Sequence, residues 1–231
     1  MYAVLFDIDG TLLLTGGAGK SCFIETFRED FQIADPDGEV SFAGRSDRAI
    51  AQDLMLAHGI EPSIENWHRF QTGYCDRVQA SLHRCKGALL PGVVELLDEL
   101  GQREDVALGL LTGNVEHGAW AKLTHYGLAD RFAFGGFGDD YTDRNDIAAA
   151  ALRAAEQHAA KFMNGSPAVL RGVVVVGDTV FDVRCAKAID AFAVGVATGS
   201  TTRDQLAESG ADLVLDNLTN SKALLEILRA S

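Results

Sequence analysis

The segment Tyr2-Ala3-Val4-Leu5-Phe6-Asp7-Ile8-Asp9-Gly10-Thr11 constrains the fold more than any other part of the chain. Its apolar run is short, rich in strand formers and followed by a glycine, so it reads as a buried strand. Side chains alternate faces along a strand, which sends Asp7 and Asp9 to one side and Ile8 to the other. Two carboxylates meeting at the end of a buried strand repel each other and resist desolvation until a cation or a proton compensates them. A calcium loop is excluded, because Thr11 and Leu12 stand where that pattern needs an acid or amide and then a glycine. A secretory leader is excluded as well: Asp7 and Asp9 fall inside what would be its apolar core. A plain Asp-x-Asp-Gly turn closing a strand stays open at this point.

Two further runs share the design. Gly172-Val173-Val174-Val175-Val176-Gly177-Asp178-Thr179-Val180-Phe181-Asp182 is a valine strand ending in acids, and Val106-Ala107-Leu108-Gly109-Leu110-Leu111-Thr112-Gly113-Asn114 ends in a hydroxyl and a glycine. Uninterrupted apolar strands of this kind are covered on both faces, as in a parallel sheet flanked by helices. In such sheets ligands bind beyond the carboxyl ends of the strands, where all three runs carry their polar groups.

From Pro91 onward helix and strand alternate: helices near 92–102, 115–126, 145–160, 180–189, 202–209 and 219–229, strands at 106–112, 132–135, 172–177, 192–197 and 212–215. That order predicts an α/β fold with a Rossmann-like, doubly wound parallel sheet. Residues 18–85 instead carry helical periodicity over 21–31, 47–58 and 63–83, with turns at Asp35-Pro36-Asp37-Gly38 and Gly59-Ile60-Glu61-Pro62. The expected division is a core of residues 1–15 and 87–231 with a small all-α cap at 16–86. Gly16-Gly17-Ala18-Gly19-Lys20-Ser21 ends like a phosphate-binding loop, but Leu14 stands where that pattern requires glycine, so these glycines read as a hinge into the cap.

Taken together, Asp7-x-Asp9-Gly10-Thr11, Leu111-Thr112-Gly113-Asn114 and Gly177-Asp178-x3-Asp182 resemble the motifs of the haloacid dehalogenase superfamily of phosphohydrolases. Leu90-Pro91-Gly92-Val93-Val94-Glu95 is similar to that family's return from cap to core, so the likeness spans nearly the whole chain, in the branch related to phosphoglycolate phosphatases with a helical cap after the first strand. The resemblance implies a Mg²⁺-dependent phosphatase acting on a small phosphorylated metabolite, phosphoglycolate first and sugar phosphates next. A sugar-phosphate mutase using the same site is the alternative, and a non-catalytic binding protein on this scaffold a further one. Dehalogenation is disfavoured, since relatives that cleave carbon–halogen bonds lack the second acid supplied here by Asp9.

By that resemblance Asp7 is the nucleophile that becomes an aspartyl-phosphate, and Asp9 moves protons to the leaving alkoxide and from the attacking water. Asp7, the backbone carbonyl of Asp9, and Asp178 are the expected Mg²⁺ ligands. Asp182 is expected to hold metal-bound water or a neighbouring cation, or else to be a first-turn helix residue favoured by the dipole. Thr112 would bind a phosphoryl oxygen with the N–H groups of Gly113 and Asn114, and Asn114 is also a candidate helix cap. The family's lysine before proline is missing ahead of the valine strand. Arg144 is the candidate cation, against a solvated charge in an acidic loop, with Lys122 and Lys161 as less well placed alternatives. In Phe42-Ala43-Gly44-Arg45-Ser46-Asp47, Ser46 or Asp47 suits a helix cap, and Arg45 either contacts a distal anionic group of the substrate or faces solvent. Asp190 stands where relatives often have glycine between helix and strand.

A formal net charge of -13 argues against a nucleic-acid partner and an anionic membrane surface, and no apolar stretch is long enough to span a bilayer. Four cysteines without C-x-x-C spacing or paired histidines read as reduced thiols of a cytoplasmic protein, and no zinc site is expected. The Asn-x-Ser/Thr patterns at Asn164 and Asn217 read as chance matches. Oligomeric state is not legible.

Overall fold

The computed structural model describes residues 1–36, 40–162 and 170–229. Part of the expected turn at 35–38 and the pattern at Asn164 lie outside the described residues. The strands are β1 (Tyr2–Phe6), β2 (Leu13–Leu14), β3 (Ala88–Leu89), β4 (Val106–Leu111), β5 (Phe134–Gly136), β6 (Gly172–Gly177), β7 (Phe192–Val196) and β8 (Leu213–Leu215). The helices are α1 (Ala18–Phe31), α2 (Asp47–Ala57), α3 (Ile64–Arg84), α4 (Val93–Gly101), α5 (Glu116–His125), α6 (Arg144–Phe162), α7 (Val180–Ala188), α8 (Arg203–Glu208) and α9 (Lys222–Ile227).

Six strands form one parallel sheet in the order β5-β4-β1-β6-β7-β8. Alternation decides which core each strand residue enters. Tyr2, Val4 and Phe6 pack with Val174 and Val176 against Leu96, Leu97, Leu123 and Leu224, whereas Leu5 and Val175 pack on the other face against Ile147, Ala151 and Val183. Both faces are thus covered, as the unbroken valine run requires.

After β1 the sheet grows to one side through β4 and β5 and then to the other through β6, β7 and β8. The order reverses around β1, which opens a crevice at its carboxyl end. The register lines up that crevice: Phe6 pairs with Leu110 on one side and Val176 on the other, so Asp7, Thr112 and Asp178 are each the first residue past a strand end, Thr112 and Asp178 one step further along than Asp7.

Helices α1, α2 and α3 bury a cluster of their own around Phe23, Phe27, Ile50, Met55, Phe70 and Tyr74. The Phe23 ring packs tilted against Phe70 and edge-on against Tyr74, at ring-centroid distances of 4.7 Å and 5.3 Å. The two passages between this bundle and the sheet run side by side, because Leu13 and Leu14 pair antiparallel with Leu89 and Ala88. Sequence periodicity missed this pairing, since two-residue strands carry no period to read. It also started α1 three residues late. Gly17, at φ 90°, caps that helix, so Lys20 and Ser21 lie inside it and form no phosphate loop.

The expected helix over 219–229 is interrupted. Asn217 accepts a hydrogen bond from the Thr219 N–H at 2.9 Å and tightens a 3₁₀ turn at Leu218–Asn220 before α9 begins. Asp190 has φ 54°, the left-handed region that an L-residue enters at a cost of about 1–2 kcal/mol. Glycine there gives back part of that gain as chain entropy. Asp190→Gly is therefore expected to raise the melting temperature by about 1–3 °C. A fall in a thermal melt would show that the Asp190 side chain contributes more than its backbone costs.

Candidate active site

The crevice beyond β1, β4 and β6 opens into a cavity of about 370 Å³ lined by Asp7, Asp9, Thr112, Lys122, Arg144 and Asp178. Phe42, Arg45, Ile50 and Tyr74 of the helical bundle close it from above. The structure therefore brings residues from three strand ends and the bundle to one space.

Asp7 and Asp9 line this cavity with different partners, while Ile8 is buried in the core beneath. Asp7 is 6 % exposed, and its Oδ1 lies 3.7 Å from an Arg144 nitrogen. Arg144 opens α6 and also ion-pairs with Asp182, whose other oxygen accepts from the Thr179 N–H at 3.0 Å and hydroxyl at 2.6 Å. Asp182 thus serves at once as the partner of a cation and as half of the capping box that starts α7. The Arg144 Nε is buried without a partner among the described residues.

Asp178 accepts from the Thr11 hydroxyl at 3.1 Å. Burial raises the pKa values of Asp7 and Asp178 well above the usual carboxylate range. Arg144 opposes the rise at Asp7, and the neighbouring carboxylates reinforce it at both. Arg144 itself is held charged, as Asp182 and Asp7 outweigh its burial.

Asp7, Asp178 and Asp182 each offer an oxygen within 4.8 Å of the others. Three buried carboxylates facing one guanidinium leave negative charge uncompensated, and a hard divalent cation is the group that oxygen ligands of this kind suit. The backbone packs closely on this acid: Gly10, at φ 86°, would bring an added Cβ to 2.5 Å from Asp178 Oδ2, and one at Gly199 would come closer still, so both glycines leave room for the Asp178 carboxylate. Because both oxygens of Asp182 are already engaged, Asp7 and Asp178 are the freer donors.

Thr112 is fully buried, and its oxygen accepts from the Asn114 side-chain amide at 2.7 Å and backbone N–H at 3.4 Å. With the oxygen thus occupied, the hydroxyl hydrogen is left to donate into the cavity. Gly113 lines the cavity, and its carbonyl accepts from the Asp47 N–H at 2.7 Å. Asn114 is not a cap. Val115 precedes α5 without a side-chain cap, and the Asn114 amide reaches Asp9 Oδ2 at 2.8 Å.

Two groups carry more than sequence reading gave them. Lys122, 3 % exposed on α5, donates to Asp9 Oδ2 and Asn114 Oδ1, each at 2.5 Å. Its signal was a lysine on the stripe Val115, Ala119, Lys122, which is otherwise apolar and buried. Ser46 is the cap of α2, accepting from the Ala49 N–H at 3.2 Å, and this frees Asp47 to accept from the Val115 N–H at 2.9 Å. Burial pushes Asp47 up to about 7, against the opposing pull of Lys122. Burial disfavours charge on Lys122, but Asp9 and Asp47 outweigh it and raise its pKa.

Arg45 lines the cavity, yet its guanidinium is spent on Asp53 at 2.6 Å. Lys161 is exposed in the last turn of α6, at the far end from Arg144. Among the described residues no helix is long and apolar enough to cross a membrane.

Comparison with known proteins accords with this geometry. Residues 4–196 match the family model described as haloacid dehalogenase-like hydrolase. A phosphoglycolate phosphatase of Synechococcus elongatus is 28% identical over 232 residues, covering 99% of this chain and 100% of the relative. A hydrolase from Pseudomonas syringae shares the fold at TM-score 0.69 and 21% identity, covering 99% of each chain. CbbY from Rhodobacter sphaeroides, solved in complex with phosphate, does so at TM-score 0.71 and 21% identity over 95% of each chain.

Proposed function

The chain belongs to the haloacid dehalogenase-like hydrolases, and we propose that it is a Mg²⁺-dependent phosphatase that hydrolyses a small phosphorylated metabolite through an aspartyl-phosphate on Asp7. Phosphoglycolate is the first candidate substrate, which the relative's name supports, and sugar phosphates are the next. One observation carries this reading: a buried carboxylate, Asp7, stands beside a fixed guanidinium and a metal-competent acid cluster at the floor of a cavity sized for a small molecule.

The steps follow from the charges. An oxygen of Asp7 forms the new bond to phosphorus as the bond to the leaving alcohol breaks, and Asp9 gives the alcohol oxygen its proton. Water then attacks phosphorus, the bond to Asp7 breaks, and Asp9 takes the water's proton. Thr112 and the N–H groups of Gly113 and Asn114 donate to the phosphoryl oxygens, where charge accumulates during transfer. Arg144 offsets the repulsion between Asp7 and the phosphoryl group. Asp7, Asp178 and the Asp9 carbonyl would hold Mg²⁺, which when bound would supply charge neutralisation at the same group. Residues 16–86 act as the cap over a core of residues 1–15 and 87–231, and Arg45 reaches a distal anion only by leaving Asp53. A cytoplasmic location belongs to the same reading and rests on four free cysteines.

Metal removal tests it. Release of p-nitrophenol from its phosphate ester should vanish in EDTA and return with added Mg²⁺. Full activity in chelator would overturn the reading. The pKa shifts give a companion result. A carboxyl whose folded pKa is raised holds more protons folded than unfolded, so without metal, stability falls as pH climbs from near 3.8 towards the raised values of Asp7 and Asp178. Mg²⁺ should therefore raise the melting temperature more at pH 8 than at pH 5. If the incubated product is a rearranged sugar phosphate rather than free phosphate, the mutase alternative holds instead.

A further inference from the structure

Lys122 is a buried cation to which the hydrolytic steps above give no task. A buried ion pair is no better for stability than apolar residues of similar volume. Stability therefore does not explain a lysine on the stripe that also carries Val115 and Ala119.

We propose that Lys122 is a positioning residue for Asp9, fixing which carboxylate oxygen faces the leaving group; the proposal rests on the phosphatase reading. Asp9 Oδ2 takes two donors, the Lys122 ammonium at 2.5 Å and the Asn114 amide at 2.8 Å. Oδ1 is thereby left to carry the transferred proton. The Asp9 side chain is 42% exposed in the open cavity, so without these tethers it would be free to sample several rotamers. Lys122 also sets the amide itself, because its bond to Asn114 Oδ1 determines which end of that side chain faces Asp9. The frame is anchored on Thr112, whose oxygen accepts from the same amide at 2.7 Å. Phosphate grip and proton donor are thus built on one rigid set of bonds, the kind of preorganisation that saves entropy in the transition state.

The proton leaves Asp9 Oδ1 for the alcohol oxygen as the P–O bond breaks, and Lys122 stabilises the carboxylate that remains. A compact ammonium with several donors can serve both acceptors at once, which a planar guanidinium fills less readily.

The test uses leaving groups. p-Nitrophenolate departs without a proton, whereas a simple alkoxide needs one. Lys122→Met should therefore lose kcat/KM on glycerol phosphate about 30-fold more than on p-nitrophenyl phosphate, within the range of general acid catalysis. The ratio of the two values within one preparation does not depend on how much of the protein is folded. Lys122→Gln, which keeps an N–H donor without the charge, should show the same skew in smaller measure. In an Asp9→Asn background, Lys122→Met should cost no more than about twofold on the alkyl ester, since its route through Asp9 is already cut. Equal losses on both esters, or full additivity with Asp9→Asn, would overturn the positioning role alone. A wild-type protein inactive on both esters would overturn the phosphatase reading, and this one with it.

Discussion

Asp7→Asn is expected to abolish phosphate release, with a loss of at least about 10⁴-fold, equivalent to roughly 5.5 kcal/mol of transition-state stabilisation. The amide oxygen is a far weaker nucleophile than a carboxylate, and among the described residues no other acid is positioned to take over. Asp178 is tied to Thr11, Asp182 is shared between Arg144 and Thr179, and Asp9 is tethered by Lys122 and Asn114. The variant should nevertheless fold. Asp7 is buried among like charges that raise its pKa, so a neutral isostere relieves repulsion while keeping the volume. Folding and inactivity together separate a chemical role from a structural one. Brief incubation with phosphate-labelled substrate should leave acid-stable label on the wild-type protein and none on the variant. Label retained by Asp7→Asn, or turnover near the wild-type rate, would remove Asp7 as nucleophile.

What the sequence made legible follows from where information lies in a chain. Strands β1 and β6 are buried on both faces, so each must be apolar at every position, and the acids that end them stand out against that background. The parallel register then needs no long-range guesswork to bring Asp7, Thr112 and Asp178 to adjoining strand ends on one edge of the sheet. Arg144 was legible for a similar reason, as a cation opening the helix before the valine strand. Lys122 was not, because its meaning lies in a bond to Asp9 across 113 residues of sequence. Asp47 was hidden by its neighbour: either Ser46 or Asp47 suits a helix cap, and only the fold shows that Ser46 takes the task and hands Asp47 to the Val115 N–H. The pairing of Arg45 with Asp53 was not readable from spacing. The two residues bracket the first turns of α2, but Arg45 precedes the helix, so the usual one-turn rule does not apply to it. Sequence thus reported burial and local geometry well, and reported the choice among competing polar partners poorly.

Arg144→Ala is expected to lower kcat/KM by about 100-fold or more, roughly the effect of deleting one preorganised donor at a developing charge. Attack by Asp7 drives an anionic carboxylate onto an anionic phosphoryl group. Among the described residues, Arg144 is the cation ion-paired with Asp7, at 3.7 Å, while Lys122 is committed to Asp9 and Lys161 is exposed at the opposite end of α6. Removal also strands Asp182, whose Oδ1 loses its cation, and breaking one side of a buried pair costs about 3–5 kcal/mol of stability. A lower melting temperature is therefore part of the expected result, and assays belong well below it. Arg144→Lys separates the two effects. It restores the charge but not the fork that reaches Asp7 and Asp182 together, so it should regain part of the activity and stop short of wild type. Added Mg²⁺ should not rescue Arg144→Ala, since the acids that would hold the metal remain while the flank left bare is the one Arg144 covered. Wild-type kinetics in Arg144→Ala alongside a collapse in Lys161→Ala would move the phosphate-site cation away from Arg144 and leave the fold and the acid cluster as they are.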